Sequence, residues 1–242
     1  MTRRVMLGML TPSSNTVLEP VLGAIAAGVP GLSVHFARFP VTEISLGDKA
    51  LGQFEIEPML AAARLLADAR VSAICWNGTS AGWLGLERDS ALCRAIEERT
   101  RVPATSSVLA LAEILRLTGV TRLGLVSPYI PAVQERIAAN FAREGFPVVA
   151  ERHLGISENF AFSEVEEETL ARMIREVAAA KPQAITVFCT NLRAAPLVET
   201  LEREIGIPIH DTVATALWGS LRLAGASPRA IAGWGRLFRE VA

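Results

Sequence analysis

The chain has 242 residues, 50% of them hydrophobic, and its 24 basic and 25 acidic residues leave a formal net charge of -1. This length allows one large domain or two smaller lobes, with ample apolar surface for a core. The near-neutral charge argues against nucleic-acid binding, and no apolar run reaches the roughly 18 residues of a membrane span. The three cysteines form neither a disulfide framework nor a zinc-binding spacing. We therefore expect a reduced, cytoplasmic setting without signal peptide or membrane anchor.

Short apolar runs alternate along the chain with longer segments of helical period, and this alternation predicts an α/β fold with a parallel sheet flanked by helices. Several runs are apolar on both faces, as is typical of strands covered by helices on each side. The predicted strands are Val5–Leu10, Leu32–Ala37, Val71–Trp76, Leu123–Val126, Val148–Ala150 and Ala184–Phe188.

The segments between these strands are amphipathic, and two of them are well defined. The first places four apolar residues on one helical face: Ile130, Val133, Ile137 and Phe141. The second contains Ser163 followed by Glu166, which has the form of a capping box. It predicts the start of the helix that carries Leu170, Ile174 and Val177.

An internal echo predicts two lobes of like topology. The segment from Gly78 to Gly119 is matched, with small gaps, by a shorter one from Cys189 to Gly225. Each begins directly after an apolar strand. We expect residues 1–117 to form an N-terminal α/β lobe and 118–212 a C-terminal one, with a cleft between them. Residues 213–242 are a segment that could pack back on the first lobe.

Clusters of neutral hydrogen-bonding side chains follow the predicted strands. They are Pro12–Thr16, Asn77–Ser80, Ser127–Tyr129 and Cys189–Asn191. In open parallel sheets, ligands bind beyond the carboxyl ends of the strands, where helix N-termini present backbone N–H groups. Any one cluster could simply cap the following helix. Their combination at one sheet edge favours a carboxylate-binding site.

Cys189 is the candidate catalytic residue. A cysteine just past a buried strand and at the start of a helix gains thiolate character from the helix terminus, which suits nucleophilic or proton-transfer chemistry. Cys75 and Cys93 are expected to be inert core residues. His210 and Asp211 could orient a substrate or assist Cys189, and an indirect or helix-capping role fits them at least as well.

The tryptophans have two possible roles. Trp76, Trp83 and Trp218 could form an apolar wall of the cleft, although core packing is the usual role of tryptophan. The sequence contains no glycine-rich phosphate loop and no dinucleotide-binding fingerprint.

With these motifs, the chain resembles the aspartate/glutamate racemase superfamily, specifically its arylmalonate decarboxylase and maleate cis-trans isomerase branch. The resemblance covers nearly the whole length and rests on Thr11–Thr16, Gly78–Ser80, Ser127–Tyr129, Cys189–Arg193 and Gly233–Phe238. It implies two pseudo-symmetric α/β lobes and an interlobe active site for a small carboxylate. It also implies that neither a metal nor an organic cofactor takes part, and it is compatible with a homo-oligomer.

The resemblance also assigns roles to individual residues. Racemases and isomerases of this family carry one cysteine per lobe, whereas this chain has Gly78 at the first position. Family decarboxylases share the glycine-plus-cysteine arrangement, in which the single cysteine, here Cys189, protonates an enediolate. Asn15 matches a substrate contact of the isomerases. The substrate-binding residues implied are Asn15, Gly78, Thr79, Ser80, Tyr129, Thr190 and Asn191.

The leading hypothesis is a cofactor-independent, single-cysteine enzyme that decarboxylates a malonate-type substrate and protonates the product stereospecifically through Cys189. One alternative is a maleate isomerase or an aspartate/glutamate-type racemase on the same scaffold. The other is a carboxylate-binding protein without turnover. Gly78 favours the decarboxylase, whereas Asn15 favours the isomerase.

Overall fold

The computed structural model describes residues 4–241, apart from the side chains of Lys49 and Leu51, and within this range the strands form two four-stranded parallel sheets. The first sheet has the order β2-β1-β3-β4 and consists of β1 (Val5–Pro12), β2 (Leu32–Phe39), β3 (Ala73–Trp76) and β4 (Ala104–Ser106). The second has the order β6-β5-β7-β8 and consists of β5 (Leu123–Ser127), β6 (Val148–His153), β7 (Ala184–Val187) and β8 (Ile209–Asp211). The two sheets therefore have the same topology.

The helices cover the sheets. Those before β5 are α1 (Leu18–Ala27), α2 (Asp48–Gly52), α3 (Ile56–Asp68), α4 (Ala81–Leu84), α5 (Leu86–Thr100) and α6 (Ser107–Leu117). Those after it are α7 (Pro131–Arg143), α8 (Glu167–Ala178), α9 (Val198–Ile205), α10 (Thr212–Leu223) and α11 (Leu237–Glu240). Single turns of 3-10 helix occur at Phe160–Glu164, Ala195–Leu197 and Pro228–Ala230. In the described part of the chain, no helix has both the length and the apolar character needed to cross a membrane.

The central strand β1 shows why helices pack on both faces of the sheet. Successive side chains of a strand point to opposite faces. Leu7 and Met9 join one buried cluster, and Leu10 joins another on the opposite face. Gly8 leaves room for α3, because a Cβ atom at this position would lie 3.2 Å from Cβ of Leu66. The predicted two-lobed α/β fold is confirmed.

Helix α10 follows the last strand of the second sheet but packs against the first. It contacts α6, β3 and β4. Leu217 and Trp218 share a buried cluster with Leu7 and Met9, and the indole N–H of Trp218 donates to the carbonyl of Val241 at 2.9 Å. Trp218 therefore fills the core rather than the cleft. The lobe boundaries at 117/118 and 212/213 stay predictions, and residues 1–3 and 242 lie outside the described residues.

One prediction of local structure is wrong, and two short strands were not predicted. The capping box does not form, because α8 begins at Glu167, and Ser163 lies in the preceding 3-10 turn with its hydroxyl donating to the carbonyl of Phe160 at 2.7 Å. Strands β4 and β8 were not among the predicted strands. Each has three residues, too few for an alternating pattern to show.

Candidate active site

The clusters at the strand ends converge on one small cavity between the sheets, here called the interlobe cavity. It contains about 290 Å³ of empty space, part of which is open to solvent. Of the predicted site residues, it is lined by Gly78, Thr79, Ser80, Tyr129, Cys189 and Thr190. The other lining residues are Pro12, Val41, Ile44, Phe54, Trp76, Trp83 and Asn159. Ends of strands from both sheets thus contribute to the same cavity.

Cys189 and Gly78 occupy equivalent places in the two sheets. β3 and β7 hold the same position in their sheets, Gly78 lies two residues beyond the end of β3, and Cys189 lies two residues beyond the end of β7. The carbonyl of Gly78 accepts a hydrogen bond from the Ser107 hydroxyl at 2.6 Å, which fixes the backbone there.

The thiol of Cys189 is buried and protonated at neutral pH. Cys189 is 3% exposed, and burial raises the pKa of its thiol to about 12, against opposing hydrogen bonds from the Asn191 backbone and from Tyr129. The expected thiolate character is wrong. No helix begins at Cys189, since the next turn of 3-10 helix starts at Ala195, and desolvation favours the neutral form. The buried thiol is suited to donating a proton.

Tyr129 connects the two lobes at the cavity. Its hydroxyl lies 2.5 Å from the hydroxyl of Thr79 and also hydrogen-bonds with Cys189. Its ring makes edge contacts with Trp83 and Phe162, at centroid distances of 5.4 and 5.5 Å. Burial raises the pKa of Tyr129 well above its ordinary value, so the hydroxyl stays neutral and can donate a hydrogen bond.

Asn15 and Asn191 lie behind the cavity wall and hold the lobes together. The Asn15 amide donates to the carbonyl of Thr190 at 3.1 Å, and its oxygen accepts from the backbone of Leu18 at 2.9 Å. The Asn191 amide donates to the carbonyl of Asn159 at 2.6 Å, and its oxygen accepts from the backbone N–H of Thr16 at 3.0 Å. Protein groups thus occupy both amides, and a contact between either residue and substrate stays a prediction.

Thr190 also bridges the lobes. Its hydroxyl donates to the carbonyl of Asn77 at 3.0 Å. This bond and the Thr79–Tyr129 hydrogen bond both cross the interface between the lobes. All of these residues except Asn77 line the cavity, so hydrogen bonds between the lobes hold its wall together.

His210 and Asp211 lie outside the cavity lining. One carboxylate oxygen of Asp211 accepts from the backbone of Val213 at 2.8 Å and caps α10, which supports the capping alternative. Burial raises the pKa of Asp211 to about 7 and lowers that of His210 to about 4. The imidazole of His210 is therefore neutral at pH 7.

Sequence reasoning missed the two loops that close the cavity. The backbone N–H of Ile44 donates to the carbonyl of Ser157 at 2.8 Å, and that of Asn159 donates to the carbonyl of Thr42 at 3.0 Å. Val41, Ile44 and Asn159 thereby reach the cavity. These hydrogen bonds join backbone groups, so no side-chain motif in the sequence predicts them.

Comparison with known proteins identifies the family. The profile of the family described as arylmalonate decarboxylase matches residues 18–238. Arylmalonate decarboxylase from Bordetella bronchiseptica is 30% identical over 235 residues, covering 95% of this chain and 98% of the relative. Maleate isomerase from Nocardia farcinica is 28% identical over 243 residues, covering 97% of this chain and 95% of the relative.

Solved structures agree with the sequence relatives. A variant of the Nocardia farcinica maleate cis-trans isomerase with a covalently bound succinylcysteine intermediate superposes with a TM-score of 0.89 at 26% identity, covering 98% of this chain and 99% of that one. A crystal structure of arylmalonate decarboxylase has a TM-score of 0.78 at 29% identity, with 97% and 99% covered. The chain therefore belongs to the arylmalonate decarboxylase family, in the branch of the aspartate/glutamate racemase superfamily that includes the maleate isomerases.

Proposed function

We propose that the protein is a cofactor-independent decarboxylase of a malonate-type dicarboxylate, in which Cys189 protonates the product on one face. One observation carries the proposal. At equivalent strand ends, the second lobe has a buried, protonated thiol and the first has Gly78, with no side chain. A single acid suits a reaction that needs one proton delivered, because racemisation requires a second base on the far face of the substrate.

The proposed reaction has two steps. The bond between the α-carbon and one carboxylate breaks, carbon dioxide leaves, and the electron pair passes into the retained carboxylate to give an enediolate. The Cys189 thiol then transfers its proton to the α-carbon and becomes a thiolate. A proton from solvent restores the thiol.

Neutral donors would stabilise the enediolate. The hydroxyls of Thr79, Ser80 and Tyr129 belong to residues that line the cavity, and all three residues are at least nine-tenths buried. In a water-excluded site, losing one such donor typically costs about 2.7 to 4 kcal/mol of transition-state stabilisation. Thr79 and Tyr129 hydrogen-bond to each other, so one of their two hydroxyl protons is already used and the pair orients the other O–H before substrate binds.

Isomerisation is the second candidate, because a maleate isomerase structure, with a TM-score of 0.89, and a liganded decarboxylase variant, with a TM-score of 0.85, superpose almost equally well. A single assay distinguishes the candidates. The protein is incubated in deuterated water with α-substituted malonates, with maleate, and with aspartate and glutamate. We expect carbon dioxide release from a malonate, with one deuterium at the α-carbon of a single enantiomer.

Other outcomes would contradict the decarboxylase. Conversion of maleate to fumarate would favour an isomerase, and α-deuterium exchange on an amino acid would favour a racemase. Binding of malonate or maleate by calorimetry without any turnover would favour the carboxylate-binding protein.

A further inference from the structure

The space beside Gly78 is filled by the indole of Trp76. A Cβ atom on Gly78 would lie 2.5 Å from Cε2 of Trp76 and closer still to Cζ2 and Cη2 of the same ring. Real Cβ atoms do not approach other heavy atoms this closely. Because residues two apart on an extended chain point to the same side, the last side chain of β3 folds over the position of Gly78.

The indole is buried and packs against an aromatic neighbour. Trp76 is 1% exposed, and its ring packs on Phe39 with a centroid distance of 5.1 Å. Its N–H has no hydrogen-bond partner among the described residues. A buried donor without a partner is unfavourable, so hydrogen bonding does not account for an indole here.

The same indole also borders a second, larger cavity, here called the side cavity. It is open to solvent, contains about 890 Å³ of empty space including the solvent at its mouth, and is lined in part by Met59, Asp89 and Leu92. Phe54, Trp76 and Ser80 line both the side cavity and the interlobe cavity. Trp76 therefore stands at the boundary between them, together with Phe54 and Ser80.

We propose that Trp76 is the specificity-determining residue of this site: its indole fills the place of a first-lobe acid–base side chain and separates the interlobe cavity from the side cavity. The inference rests on the proposed function. It adds a steric reason for protonation on one face, since a thiol at position 78 has no room. It also restricts the substrates to malonates with a compact α-substituent, because a bulky one would need the volume behind the indole.

A stability experiment tests the steric part without any assay of activity. Gly78→Ala adds only a Cβ atom, and Gly78 does not have a positive φ that would strain alanine. We expect Gly78→Ala to lower the Tm by roughly 3–10 °C through overpacking. In a Trp76→Leu background, the same substitution should change the Tm by less than about 2 °C.

These substitutions form a double-mutant cycle. Its control is Trp218→Leu, which removes an equally buried indole from a different core cluster. Gly78→Ala should lower the Tm as much in the Trp218→Leu background as in the wild type. If Gly78→Ala lowers the Tm equally in the Trp76→Leu and Trp218→Leu backgrounds, the Trp76 indole does not fill the space beside Gly78. That result would overturn the proposal.

An activity experiment tests specificity. Trp76→Leu should raise the ratio of kcat/KM for an aryl-substituted malonate to that for a methyl-substituted one by about 10-fold or more. Trp76→Leu with Gly78→Cys should exchange the α-proton of the product acid in deuterated water, whereas Gly78→Cys alone should not. An unchanged substrate ratio and no exchange in the folded double variant would overturn the inference.

The two proposals fail in different ways. A wild-type protein that releases no carbon dioxide from any malonate would overturn the proposed function, and with it the specificity role of Trp76, whatever the stability cycle shows. If the wild-type protein decarboxylates malonate but the Tm changes caused by Gly78→Ala and Trp76→Leu are additive, the inference alone is overturned.

Discussion

The equivalent ends of β3 and β7 differ in one respect that decides what chemistry each lobe can supply. Beyond β7 stands a thiol, kept neutral by burial and in contact with Tyr129. Beyond β3 stands Gly78, whose missing side chain is replaced in space by the indole of Trp76. Two lobes of one topology can thus be given unequal roles by a few residues, without any change in the sheets.

Removal of the Cys189 thiol is the test of this asymmetry with the largest expected effect. Cys189→Ala should lower the rate of product formation by about 10²- to 10⁴-fold, the usual loss on removing a positioned acid. The rate is followed by carbon dioxide release and by deuterium content at the α-carbon. Cys93→Ala is the matched control, since Cys93 is also buried but lies outside the cavity lining, and it should retain activity. Full activity of Cys189→Ala would remove the mechanistic basis of the proposal.

Tyr129→Phe sharpens the comparison by cutting the hydroxyl link between the lobes while keeping the ring. Loss of this donor should lower kcat by roughly 10²- to 10³-fold. KM should change less, because the donor acts on the developing enediolate rather than on the bound dicarboxylate. Steady-state kinetics measures both values. A rise in KM with unchanged kcat would assign Tyr129 to ground-state binding instead.

The helix caps of the two lobes provide a pH-dependent test. The hydroxyl of Ser106 caps α6, accepting from Leu109 at 3.0 Å, and the carboxylate of Asp211 caps α10 at the equivalent strand end. The native state holds the Asp211 pKa at about 7, against a usual 3.8. A raised carboxyl pKa favours the protonated native state, so this contribution to stability is complete below about pH 4 and is lost as the pH rises to about 7.

Asp211→Asn should retain the cap and remove this pH dependence. Between pH 4 and 8, the Tm of the wild type should therefore fall by roughly 2–8 °C relative to that of Asp211→Asn. Thermal unfolding monitored by circular dichroism at several pH values measures the difference. Parallel Tm curves for the two proteins would mean that the native pKa is not raised.

The smallest effect is expected at Asn15. If its amide serves only to join the lobes and cap α1, Asn15→Ala should lower stability by about 1–2 kcal/mol. The remaining folded enzyme would then keep the wild-type KM. Denaturant unfolding and kinetics at a temperature well below the Tm measure the two quantities separately. A KM that rises about tenfold or more, without loss of stability, would support the substrate contact implied by the family resemblance.

The sequence predicted the arrangement of the lobes better than the environment of the site. Alternating apolar runs and polar strand ends are local, so they predicted the strands and brought Gly78, Tyr129 and Cys189 to one cavity. The neutral state of the Cys189 thiol does not depend on the neighbouring sequence. It follows from the approach of the second lobe to the first and from the lack of a helix at this point, and neither is visible in the spacing of Cys189.

Two further features were beyond sequence reasoning for different reasons. Trp76 and Gly78 are only two positions apart, yet the filling of the glycine's space depends on the rotamer of the indole and on its packing with Phe39. The closure of the cavity by Ile44 and Asn159 depends on backbone hydrogen bonds between loops more than 100 residues apart in the chain. Short periodic patterns carry no information about either.

The return of α10 to the first sheet has a mechanical consequence. The chain passes between the lobes once between α6 and β5 and again between β8 and α10. Because α10 is continuous with β8 and packs against β3 and β4, the second sheet is covalently anchored to the first lobe at the end of β8 as well as at the start of β5. Two covalent connections restrict how far the sheets can move relative to each other, which helps to keep Cys189 and Gly78 at the same cavity.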